Sequence, residues 1–166
     1  MIVVAFASKH GATEDIAKHI ATGLTARGLQ SEARSVNEID GLAGADAVVL
    51  GSAVYAGSWM KDATGFVDRN AETLATLPVW LFSSGPLGDH VADDEEQPKQ
   101  LDELRTRISP RGHRTFFGAL DSAKLGFAER MLVKAVKAPE GDFRDWDEIS
   151  SWADEIADGL AAPPTS

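Results

Sequence analysis

The segment Ser8-Lys9-His10-Gly11-Ala12-Thr13 places two hydroxyls and a glycine directly after an apolar run and directly before a helix-forming stretch. Those residue types at that junction suit the binding of an anion. The start of a helix presents N–H groups with no intrahelical acceptor and the positive end of the peptide dipole. Gly11 lets the backbone curl closely around a ligand, and Ser8 and Thr13 add hydroxyl donors. The loop therefore predicts a cradle for one phosphate group. No Gly-Lys-Ser or Gly-Lys-Thr follows, so it is not a nucleoside-triphosphate loop, and the dinucleotide pattern Gly-x-Gly-x-x-Gly is absent. A phosphate monoester fits better. The hydroxyls could instead only cap the helix, and the residues alone leave that alternative open. Lys9 and His10 belong to the same loop; His10 has no orienting partner and is given no acid–base role.

Two further segments offer what a planar ring needs. In Gly51-Ser52-Ala53-Val54-Tyr55-Ala56-Gly57-Ser58-Trp59 the small residues permit close backbone approach. Tyr55 and Trp59 supply aromatic faces for stacking, with core packing as their alternative use. Ser83-Ser84-Gly85-Pro86-Leu87-Gly88 is a second run of small residues and turn formers. Neither segment carries an obvious acid–base pair or metal-ligand set, so no catalytic side chain and no metal are expected.

These segments need a scaffold that brings them together. Ile2 to Ala7 is continuously apolar, as in a strand buried on both faces of a parallel sheet. Ile16, Ile20 and Leu24 recur every four residues and predict a helix that Gly28 ends. Residues 30–36 read as a polar edge strand, 46–51 as a second buried strand and 62–77 as a helix. Residues 78–83 read as a third buried strand, with Pro78 at its first position, and 114–119 as a fourth. The last helix spans 145–160, with Ile149, Trp152, Ile156 and Leu160 on one stripe. Strands alternating with helices predict an α/β three-layer sandwich with a five-stranded parallel sheet in the order 2-1-3-4-5. In that order a ligand sits outside the carboxyl ends of the strands, where the winding reverses. The candidate segments lie there. One domain over 1–160 is expected, with 161–166 as a frayed tail.

The chain has 166 residues, 43% hydrophobic and 25% charged, which suits one globular domain. It has no cysteine, which excludes disulfides, a thiol nucleophile and cysteine-ligated clusters. Redox chemistry, if present, must then reside in a bound organic cofactor or another metal. A formal charge of −10 argues against nucleic acid as a partner. The apolar amino end lacks the basic leader of a signal peptide and reads as a strand, giving an expectation of a cytoplasmic protein.

The loop after the first strand resembles that of the flavodoxin family, with matches at Ser8, Gly11 and Thr13 and departures at His10 and Ala12. More narrowly, the chain resembles the flavodoxin-like, quinone-dependent protoporphyrinogen oxidases. That resemblance rests on residues 6–17, residues 51–57, Phe117-Gly118-Ala119-Leu120 and Asp145-Trp146. It implies a flavodoxin-like fold and non-covalent FMN. The phosphate would lie at Ser8, Lys9, His10, Gly11, Ala12 and Thr13. The ring would lie between Ser52, Ala53, Val54, Tyr55, Ala56, Gly57 and Ser84, Gly85, Pro86, Leu87, Gly88. It further implies an oxidoreductase that passes electrons or hydride from a reduced substrate, such as protoporphyrinogen, to quinone or another acceptor. A substrate-free electron carrier is one alternative. A module for a deazaflavin coenzyme is another, since His10, Ala12 and Ala56 depart from the usual pattern. The subfamily carries an extra segment, here 121–142. Its residues Lys124–Lys137 predict an amphipathic helix with four basic residues against one acidic, suited to a membrane surface or a partner. The acidic cluster Asp89 to Glu96 predicts a solvated loop or a lid.

Overall fold

The computed structural model describes residues 1–9, 11–55, 57–85, 100–116, 119–120, 141–142 and 144–161. The central strand β1 (Ile2–Ala7) pairs in parallel with β2 (Ser31–Ser35) on one side and β3 (Ala47–Tyr55) on the other. Beyond β3 lie β5 (Val79–Ser84) and β6 (Gly112–Phe116), both parallel, so the sheet runs β2-β1-β3-β5-β6. A short strand β4 (Ser58–Trp59) folds back antiparallel on the end of β3. Counting the parallel strands alone, the order is the expected 2-1-3-4-5.

Helices α1 (Ala12–Ala26) and α4 (Trp146–Ala161) cover one face, and α2 (Lys61–Leu74) and α3 (Leu101–Ile108) the other. The strand side chains alternate between the two cores. Val4, Phe6, Val49 and Phe82 pack with Ile16, Ile20, Trp152 and Ile156. Ala5, Ala7, Val48, Leu50 and Leu81 pack with Phe66, Val67, Leu104 and Ile108. Both faces are covered, so the strands read as unbroken apolar runs rather than as alternating ones.

Several boundaries differ from the expectation. β3 continues four residues beyond Gly51, because Ser52 pairs with Ala7 and Ser83, and Ala53 pairs with Ser84. Ser52, Ala53, Val54 and Tyr55 are thus strand, followed by a turn at Gly57. Helix α2 ends at Leu74 rather than 77. The strand expected at 114–119 begins at Gly112 and stops at Phe116. Ala119–Leu120 (β7) instead pairs antiparallel with Gly141–Asp142 (β8), outside the main sheet. Helix α3 has no counterpart in the sequence expectation. The segment Lys124–Lys137, the acidic cluster Asp89 to Glu96 and the tail from 162 lie outside the described residues. No helix among the described residues is long and apolar enough to cross a membrane.

Candidate functional site

The ends of β1, β3 and β5 are neighbours through the pairs Ala7–Ser52 and Ala53–Ser84. Segments 8–13, 52–57 and 84–85 therefore meet at one edge of the sheet, at the point where the crossovers diverge to opposite faces.

The first segment, the expected anion cradle, is a glycine turn into a helix. Gly11 is the N-cap of α1, with φ +93° and ψ −11°. An L side chain is strained there, although a Cβ would meet no atom within 4 Å. The Gly11 N–H donates to Ser8 Oγ at 3.0 Å. The first intrahelical bond is Asp15 N–H to Gly11 O, 3.0 Å. The N–H groups of Ala12, Thr13 and Glu14 thus have no intrahelical acceptor. Gly11, as the N-cap, has no side chain to cap the helix, and the Ser8 hydroxyl accepts from the Gly11 N–H rather than from an N–H within the first turn.

Thr13 carries the decisive detail. It is 1% exposed, and its Oγ1 is the one buried side-chain polar atom without a hydrogen-bond partner among the described residues. Helical Cα–Cβ bonds tilt toward the amino terminus, so the Thr13 hydroxyl leans toward the loop that precedes the helix. A buried hydroxyl left unpaired costs about 1–3 kcal/mol. A phosphate oxygen at the helix terminus would remove that cost. The residues present therefore fit a phosphate monoester: an orphaned hydroxyl, amides with no intrahelical acceptor and a glycine bend lie together at the start of α1.

The segments expected beside a planar ring are more mixed. Ser52 is fully buried; its hydroxyl donates to Ala53 O at 2.8 Å and accepts from the Met60 N–H at 3.0 Å. It therefore braces the β3–β4 hairpin. Ala53 and Ser84 are buried, and Val54 is half-buried. Tyr55 pairs through its backbone with Ser58 across a turn at Gly57, φ +75°. Gly85, φ +103°, donates its N–H to Phe116 O at 2.9 Å, and a Cβ on it would lie 3.7 Å from Val54 O. That contact brings the exits of β3 and β5 side by side. Lys9 is exposed, and Ala12 is half-buried. His10, Ala56, Pro86, Leu87 and Gly88 lie outside the described residues.

Trp59 is a correction. It is 3% exposed, inside the second core, and has no open face for a ligand. Its Nε1–H donates to Ser83 Oγ at 2.8 Å, and Ser83 Oγ lies 2.9 Å from His113 Nε2. An indole nitrogen can only donate, so Ser83 Oγ accepts from Trp59, and its own proton can go to His113 Nε2 in the neutral tautomer that leaves that nitrogen bare. Burial, and secondarily Arg105, lower the His113 pKa from 6.5 to about 4. The unfolded chain thus binds this proton more readily than the folded one. The contribution to stability is complete above about pH 6.5, falls as pH falls, and is gone below about pH 4. Allowing for partial exposure, it is worth on the order of 2 kcal/mol. In urea denaturation from pH 7 to pH 4, His113→Gln should show a shallower stability loss than the wild type. Parallel profiles would sink the assignment.

Arg144, which the sequence reading did not single out, joins the site from the residues before α4. Its Nη1 donates to Asp15 Oδ2 at 3.1 Å and to Ala12 O at 3.4 Å, and its side chain is 11% exposed. Its guanidinium stacks 4.7 Å from the Trp146 ring centroid.

The order of the sheet and the glycine-turned start of α1 at its carboxyl edge together describe a doubly wound α/β domain of flavodoxin type. The family model described as Flavodoxin domain matches residues 3–147, and the chain belongs to that family. It is 21% identical to the protoporphyrinogen IX dehydrogenase (quinone) of Escherichia coli strain K12 over 169 residues, 93% of each chain. Its fold is similar to that of a flavodoxin from the domain Archaea, at TM-score 0.66 and 16% identity over 97% of this chain and 99% of the other. Flavodoxin 1 from Bacillus cereus is similar at TM-score 0.62 and 16% identity, over 95% and 97%.

Proposed function

We propose that this protein binds FMN and works as an oxidoreductase, moving electrons or hydride from a reduced substrate to quinone or another acceptor. The observation that carries this is the unpaired, buried Thr13 hydroxyl at the open start of α1. Ser8, Gly11, Ala12 and Thr13 would hold the phosphate, and the exits of β3 and β5 would flank the ring. Bound FMN supplies both one-electron and hydride chemistry, so the chain need provide no acid or base of its own. What the chain provides is placement: a rigid sheet edge that fixes the anion and closely spaced backbone groups beside the ring. The relative in Escherichia coli, named for protoporphyrinogen IX and quinone, supports protoporphyrinogen as the reduced substrate. Residues 124–137, basic on one side, would then bring the site to a membrane surface where quinone resides.

The test is direct. Purified protein should show oxidised-flavin absorbance or bind added FMN stoichiometrically, and bind it more tightly than riboflavin. Protein that does neither would overturn the proposal. Potentiometry separates the uses: two well-spaced one-electron steps mark a carrier, and a single two-electron step with turnover of a reduced porphyrin marks the oxidoreductase. A deazaflavin coenzyme binding in preference to FMN would reassign the cofactor.

A further inference from the structure

The first turn of α1 holds two acidic residues, Glu14 and Asp15, at the end of the helix where the phosphate would sit. Acidic side chains suit a bare helix amino terminus, since they complement its dipole. Beside a bound phosphate they do the opposite, because a phosphate monoester carries close to two negative charges at neutral pH. Both are answered by cations. Lys18 Nζ lies 3.0 Å from Glu14 Oε1, one turn along the same helix, with both side chains substantially exposed. Asp15 is answered by Arg144, brought in from 129 residues away.

The two pairs are not equivalent. An exposed i,i+4 pair contributes little and is easily screened. Arg144 is the least exposed cation in any ion pair among the described residues, at 11%. Its position is fixed from several sides. Nη1 reaches both the Asp15 carboxylate and the Ala12 carbonyl, and the guanidinium lies on the Trp146 ring. That ring packs at 4.9 Å against His19, whose Nε2 is 2.7 Å from Ser150 Oγ. The arginine is thereby clamped between α1 and α4, with its charge over the first turn.

The geometry points to Arg144 as the charge-balancing, positioning residue of the anion site: it neutralises Asp15 and so allows a doubly charged phosphate, rather than a neutral ligand, to occupy the start of α1. The inference rests on the FMN-phosphate assignment above. It adds what that assignment lacks, a reason why an acidic helix start in an acidic chain would tolerate a dianion.

The experiment is fluorescence titration of the apoprotein with FMN and with riboflavin, which lacks the phosphate. The proteins compared are wild type, Arg144→Met, Asp15→Asn and the double variant. Arg144→Met should weaken FMN about tenfold, the effect of one uncompensated carboxylate near a dianion in a partly screened site, and leave riboflavin unchanged. Adding Asp15→Asn should return FMN affinity to within about twofold of wild type, because the offending charge is gone. Asp15→Asn alone, at an exposed position, should tighten FMN and not riboflavin; it decides the matter if Arg144→Met does not fold. Equal losses for both ligands in Arg144→Met, or no rescue by Asp15→Asn, would overturn the inference and leave the FMN site standing. A wild type that binds FMN no more tightly than riboflavin would overturn the phosphate assignment itself.

Discussion

Thr13→Val should make the ligand-free protein more stable and its FMN binding weaker, two effects of opposite sign from one isosteric change. Valine keeps the shape and removes the buried hydroxyl that has no partner. The apoprotein should gain about 1 kcal/mol, the desolvation cost of that group. With FMN the same hydroxyl would donate to a charged oxygen, an interaction worth about 1.5–3 kcal/mol, so affinity should fall on the order of ten- to a hundredfold. Riboflavin should be affected much less. Urea denaturation without ligand and flavin titration check both halves. A destabilised apoprotein would mean that the hydroxyl is paired within the fold. An unchanged FMN affinity would mean that it faces something other than the phosphate. Few structural residues would give this crossed result, because most buried side chains lose stability and function together.

The scaffold of this site was legible in the sequence for a simple physical reason. Strands buried on both faces must be apolar without alternation, and β1, β3 and β5 announce themselves that way. The candidate phosphate loop was legible as a strand-to-helix junction, because glycine and hydroxyls there have a narrow set of uses, and Gly11 and Thr13 do stand at the start of α1. The remainder depended on contacts distant in the chain. Ser52 to Tyr55 look like loop residues, and only pairing with Ala7 on one side and Ser84 on the other makes them strand. Trp59 is the same indole whether it stacks on a ligand or fills a core; the hydroxyl of Ser83, 24 residues on, decides it. Helix α3 is short and rich in charge, and its three buried positions, Leu101, Leu104 and Ile108, make a thin signal. Arg144 had no local pattern at all, since its meaning lies in Asp15 and Trp146 together.

Gly51→Ala should cost at least about 3 kcal/mol, at the upper end for an overpacked core position. The reason is a ring, not backbone freedom. Gly51 pairs with Phe82 on the adjacent strand, and a Cβ on Gly51 would lie 2.0 Å from Phe82 Cζ. Phe82 cannot readily move aside, because it is fully buried and packs against Phe116 and Trp152, each with centroids 6.1 Å away. The aromatic cluster thus fills the space above a strand residue that must have no side chain. Chemical denaturation would read the loss, and Gly51→Ala with Phe82→Leu should recover part of it, since two residues in contact do not add independently. A loss below about 1 kcal/mol in the single variant would contradict this packing. The position bears on the proposed function as well, because Gly51 immediately precedes the four residues that carry β3 to the sheet edge where the ring is proposed to lie. A strand forced away from Phe82 would also shift the Ala53–Ser84 pairing that sets the two loop exits side by side. Any FMN affinity the variant retains should therefore fall for riboflavin and FMN alike, the reverse of the phosphate-specific loss expected at Thr13.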